Sequence, residues 1–151
     1  MAIILQLLAS FLAITTFLVV LNVPLRFLGP AGFLGMGVWL VYIGLRDVTN
    51  PVLATFIAAS IGSACGQLLS IRYKAPAVVF ILAVLAPLVP GYLSYRTTAL
   101  FVIGHYREAI VQASLALMMA LVISIGMAGG SLTHHLYLRF HRPKKDWDDN
   151  H

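Results

Sequence analysis

Side chains able to move a proton, hold a metal or attack a carbonyl are scarce in this sequence. The acids are Asp47, Glu108, Asp146, Asp148 and Asp149, and the histidines are His105, His134, His135, His141 and His151. His134 and His135 are adjacent, so they project to different faces of a helix. Helical metal ligands need i,i+3 or i,i+4 spacing, and this pair reads instead as membrane-interface residues. HExxH, a paired CxxC and a phosphate-binding glycine loop are missing. The lone Cys65 excludes an intrachain disulfide and reads as a small buried apolar residue. Such a set does not make an enzyme, and it calls for no metal or cofactor. The chemistry left open is proton coupling by a carboxylate, and outside the tail only Glu108 and Asp47 are available for it. Glu108 follows Arg107 at a helix start, where the helix dipole favours an acid, with Arg107 and Arg96 as available partners.

The densest functional signal is the run Pro87-Leu88-Val89-Pro90-Gly91-Tyr92-Leu93-Ser94-Tyr95-Arg96. A proline inside a helix removes a backbone hydrogen bond and clashes with the preceding turn. Glycine beside it admits unusual torsions. Backbone groups freed at membrane depth must be satisfied by protein or by enclosed water. Pro87, Pro90 and Gly91 therefore predict a discontinuous helix lining an enclosed cavity. Half-helix ends of this kind bind substrate in many secondary transporters. Ser94, Tyr95 and Arg96, within about one turn of the break, would add donors.

The elements that must position these residues follow from composition. Of 151 residues, 60% are hydrophobic and only 10% charged, where a soluble domain carries about 25% charge. That excludes an ordinary soluble domain and a disordered chain. A membrane-spanning helix needs about 20 apolar residues. The charged residues delimit five such stretches, at about 2–21, 27–45, 51–71, 75–95 and 109–132. The expected fold is thus all-α, a polytopic bundle of about five transmembrane helices over residues 1–138, one broken at Pro87-Pro90-Gly91. Residues 139–151 form a basic, then acidic, tail. Stretches such as Phe80-Ile81-Leu82-Ala83-Val84-Leu85 are apolar on every face, which excludes the alternation of barrel strands. The glycine-rich second segment leaves room for a shorter or irregular element. The first reads as a retained span: no Lys or Arg precedes Arg26, and its apolar run exceeds that of a signal peptide.

Lys and Arg set orientation. Arg26, Arg72, Lys74, Arg139, Arg142, Lys144 and Lys145 fall on one side of a five-span chain, and Arg46, Arg96 and Arg107 on the other. The richer side is expected to be cytoplasmic, with the N-terminus outside and the C-terminus inside. No basic surface interleaved with aromatics speaks for nucleic acid. Asn22, Pro24 and Arg26 read as the structural end of span one. Gly62/Gly66 and Gly126/Gly130 are GxxxG pairs, expected to bring helix backbones close. Gln6, Thr15, Thr16, Ser60, Ser63, Gln67, Gln112, Ser114 and Ser124 suggest buried interhelical contacts.

Together, Asn22-Val23-Pro24 with Arg26, the glycine-rich second segment, Pro87-x-x-Pro90-Gly91-x-x-x-Tyr95 and Ser124-Ile125-Gly126 resemble the threonine/serine exporter family, and specifically its small, membrane-only component. The resemblance covers most of the chain. It implies one half of an exporter of about ten spans, whose halves occur fused or as two proteins, the larger carrying an extra soluble domain. It further implies secondary-active export, driven by the proton-motive force across the inner (cytoplasmic) membrane, of a small polar metabolite, either threonine/serine-type amino acids or small carboxylates. An odd number of spans independently suits an inverted two-half transporter. The partner expected is a larger membrane subunit of the same family. The alternative function is a non-transporting membrane scaffold or assembly protein.

Overall fold

The structure of the protein, a computed structural model, describes the backbone of residues 2–141 and the side chains of residues 3–132. Six helices follow in order: α1 (Ala2–Val20), α2 (Leu25–Arg46), α3 (Pro51–Tyr73), α4 (Ala77–Leu88), α5 (Gly91–Ile103) and α6 (Tyr106–His141). No strand occurs among the described residues. α1, α2, α3 and the Tyr106–Leu132 part of α6 are each long and apolar enough to cross a membrane. α4 and α5 pass that test only together, bent by 52° at Val89–Pro90. Over the described residues the chain is all-α, a multi-pass membrane protein with four candidate spans, or five if the bent pair crosses as one.

Two sequence expectations change here. The fourth segment does not end at Tyr95; helix continues to Ile103, and Arg96 lies inside α5 instead of in a loop. Arg96 is followed by the uncharged run Thr97–Ile103, so one cation was not a helix boundary. The second segment is neither short nor irregular. It is a continuous 22-residue helix with Pro30 inside it. At the other end, α6 runs three residues past position 138. The tail beyond His141, and the side chains of His134, His135, His141 and Arg139, lie outside the described residues.

Two connections share one design. α1 stops at Asn22, whose φ of 59° is left-handed. The Val23 N–H reaches back to the Leu18 carbonyl, and the Asn22 N–H to Val19. α3 stops the same way at Lys74 (φ 49°), with Ala75 N–H on Ser70 and Lys74 N–H on Ile71. Both are Schellman caps, which satisfy the last carbonyls of a helix. Each is followed by a proline, Pro24 or Pro76, that starts the next helix with extended backbone. Both turns lie at one end of the bundle, since Phe27 and Ala75 share a buried cluster with Leu18, Ala31 and Phe80.

A second cluster joins Val38, Ala58, Ala59, Val84, Leu88 and Ile123. These residues come from α2, α3, α4 and α6, which makes α3 the central helix. The interior is built largely of alanine and glycine, while Leu5, Leu12, Leu25, Ile110 and Leu117 point outward. That distribution suits lipid, where close backbone packing replaces the hydrophobic drive.

Candidate functional site: the helix break and its groove

The break begins with two prolines. Pro87 has no N–H for the Ala83 carbonyl, its partner in a regular helix, and Pro90 has none for Ala86. Val89 still donates to Leu85, at 3.0 Å, and closes α4. Pro90 then adopts φ −76°, ψ 55°, and the Gly91 N–H donates to the Val89 carbonyl at 2.8 Å. This is an inverse γ-turn. It redirects the chain into α5, whose first helical bond runs from the Ser94 N–H to Pro90. No side chain caps α5, so the N–H groups of Tyr92 and Leu93 have no acceptor among the described residues. The break therefore sets carbonyls without helical donors at the end of α4 beside free amides at the start of α5.

The Ala83 carbonyl is met by α2. A Cβ on Gly35 would stand 2.6 Å from that oxygen. Glycine at position 35 thus lets one backbone approach the carbonyl that Pro87 leaves short of a donor. Such close Cα–H approaches recur between packed helices.

Beside the break lies a groove of about 690 Å³. Its walls are α1 (Gln6, Ala9, Ser10, Ala13, Ile14, Phe17), Trp39 of α2, and Ala86, Pro87 and Val89 at the end of α4. Trp39 stacks on Tyr42, with ring centroids 5.3 Å apart. Gln6 and Ser10, one helical turn apart, are the polar side chains on the α1 wall, and neither makes a hydrogen bond within the described residues. The arrangement can hold a small amphiphilic solute. Apolar walls and one aromatic face enclose it, and a few polar groups orient it.

The structure brings only part of the predicted set together. Pro87 lines the groove, and Pro90 and Gly91 form the turn beside it. The Ser94 hydroxyl donates to the Pro90 carbonyl, at 3.1 Å. Tyr95 and Arg96 are exposed on α5, do not line the groove, and Arg96 has no ion pair among the described residues. Asp47 pairs with Arg46 at 3.2 Å. Glu108 lies 3.7 Å from His105 Nδ1, one turn earlier, and not against Arg107 or Arg96. Both acids are exposed at helix ends. Asn22, Pro24 and Arg26 stand at the first Schellman turn, where the Arg26 guanidinium sits over the Phe27 ring at 4.4 Å.

Gly62 faces Val38 and Val84, and Gly66 faces Phe80. Gly126 and Gly130 lie against α3, at Phe56, Ser60 and Ser63. That seam carries two interhelical hydrogen bonds: Ser63 Oγ donates to the Met127 carbonyl, and Gln67 Nε2 to Ser131 Oγ, both at 2.9 Å. Thr15, Ser60, Ser114 and Ser124 instead bond carbonyls of their own helices, and Gln6 faces the groove. Sequence reasoning missed Ser10 and Trp39, which line the groove. The available signal was the i,i+4 pair Gln6/Ser10 on one helix face. No group of three or more metal-ligating side chains occurs among the described residues.

Comparison with curated proteins and with solved structures gave no match. The family model described as "Threonine/Serine exporter, ThrE" matches residues 6–132. That stretch contains the groove, the break and, apart from the first residues of α1, every candidate membrane span. It points to a transporter of the threonine/serine exporter type and away from an enzyme. The chain belongs to the threonine/serine exporter family.

Proposed function

We propose that the chain is one half of a secondary-active exporter for small polar metabolites in the inner membrane, and that the groove beside the α4–α5 break is its solute site. The observation that carries this is the coincidence of the break with the groove. Free amides at the start of α5 suit a carboxylate, and the carbonyls of Ala86 and Pro87 suit an ammonium group. Gln6 and Ser10 add hydrogen bonds, and Trp39 supplies a wall. A small amino acid carries both charged ends. Its hydroxyl, in the threonine/serine case, is what Gln6 or Ser10 would recognise.

A second, larger membrane subunit completes the site. α5 has no buried residue, and Arg96 lies about 10 Å from the Ile103 end of its helix. An unpaired cation at that depth is costly in lipid, so the Tyr92–Tyr95–Arg96 face is assigned to the subunit boundary. The basic turns (Arg26, Arg72, Lys74) face the cytoplasm under this reading, and the N-terminus lies outside. Proton coupling is assigned to Glu108 in preference to Asp47. Asp47 is held against the Arg46 guanidinium at 3.2 Å, whereas Glu108 has only the longer 3.7 Å contact with His105.

The test is counterflow of labelled small amino acids and dicarboxylates in vesicles containing the chain and its partner. Ser10→Leu should lower exchange at least about tenfold, equivalent to about 1.4 kcal/mol, with assembly unchanged. Exchange at the wild-type rate would remove the groove from consideration. Glu108→Gln should abolish uptake driven by a pH gradient while leaving exchange intact. Loss of both would mean that Glu108 is structural.

A further inference from the structure

A second groove, of about 600 Å³, lies between α2 and α3. Pro30, Phe33, Gly37 and Val41 line one side, and Ile61, Cys65, Leu69 and Arg72 the other. Its walls are apolar except at one end, where Arg72 and Tyr73 sit. That end is the one with the two Schellman turns, so Arg26 and Lys74 lie at the same level of the bundle. Arg72 is exposed and has no ion pair among the described residues.

Length decides what fits. Pro30 to Val41, and Ile61 to Arg72, each cover about 16 Å of helix. The hydrocarbon core of a bilayer is about 30 Å thick, so this groove spans one leaflet and stops. A partner helix would want a groove along the full span. An amphiphile with one anionic head and a chain one leaflet long fits both the length and the single cation. We infer that the α2–α3 groove is a binding site for an anionic phospholipid, its phosphate on Arg72 and one acyl chain laid along Gly37 and Cys65. Basic pockets between helices at the cytoplasmic level hold such headgroups elsewhere, and Tyr73 supplies the interfacial ring.

Position 37 shows the groove is unfilled by protein, since a Cβ there would meet nothing within 4 Å. The chain's single cysteine, half-buried on the groove wall, offers a built-in reporter. The experiment is the alkylation rate of Cys65 by a maleimide in the full chain, delipidated in neutral detergent. Phosphatidylglycerol, phosphatidylcholine or inorganic phosphate is then added. Phosphatidylglycerol should slow the reaction roughly tenfold once it reaches about ten times its Kd. Phosphatidylcholine should slow it far less at the same mole fraction, and phosphate not at all. Arg72→Gln should erase the difference between the two lipids. Gly37→Leu, which fills the groove, should slow alkylation without any lipid.

Equal protection by both lipids would overturn the proposal, as would a preference that survives Arg72→Gln. Protection in the delipidated complex with its partner would assign the groove to a protein helix instead. The proposal does not depend on the solute site, and none of these readouts measures transport.

Discussion

Single glycines decide how closely these helices approach, and they are not equivalent. A Cβ on Gly130 would stand 2.6 Å from the Ser60 carbonyl and from Ser63 Cβ, while one on Gly29 or Gly37 would meet nothing within 4 Å. Gly130→Ala should therefore cost about 1–3 kcal/mol, the usual penalty for overpacking. Gly29→Ala should be neutral or slightly stabilising, by up to about 1 kcal/mol, because the helix loses a flexible residue. Thermal unfolding in detergent reads both, and equal effects would contradict the packing described. Ser63→Ala should cost only about 0.6 kcal/mol, the mean for hydrogen bonds between membrane helices. The Gly126/Gly130 spacing is visible in the sequence as a motif. The role of Gly35 is not, because its partner is a carbonyl that a proline on another helix leaves short of a donor, and no local pattern reports that meeting.

Runs without charge delimit the elements in this sequence, and that signal has a known failure. Arg46 and Asp47 mark the end of α2, and Arg72 and Lys74 the end of α3. Arg96 marks no such end, since a long side chain can carry its charge toward the interface while its helix continues. The break itself was legible, because proline's missing N–H is a local property. Its angle was not, because ψ at Pro90 and the packing of α5 on α6 set it. Pro90→Ala with Gly91→Ala should reduce the 52° bend by returning an N–H to the Ala86 carbonyl. Spin labels on exposed positions of α4 and α5 would move apart as the pair straightens. An unchanged distance would mean that α6, and not the prolines, holds the angle.

As a whole molecule, the bundle is unequal from end to end. Two Schellman–proline turns and a shared apolar cluster hold one end together. The other end contains the groove, the uncapped start of α5 and the exposed ion pairs. In the isolated chain, α5 amides should exchange with solvent faster than those of α3, which packs on three helices. Adding the proposed larger subunit should slow α5 exchange selectively if the Tyr92–Arg96 face is the boundary. No change there would send the boundary elsewhere. The hinge also has leverage. α5 is an arm about 20 Å long, so a change of about ten degrees at Val89–Pro90 sweeps its Ile103 tip through about 3.5 Å by simple trigonometry on that length. A small adjustment at the break would reach the far surface as a displacement the size of a side chain, carried there by a rigid rod and its α6 neighbour.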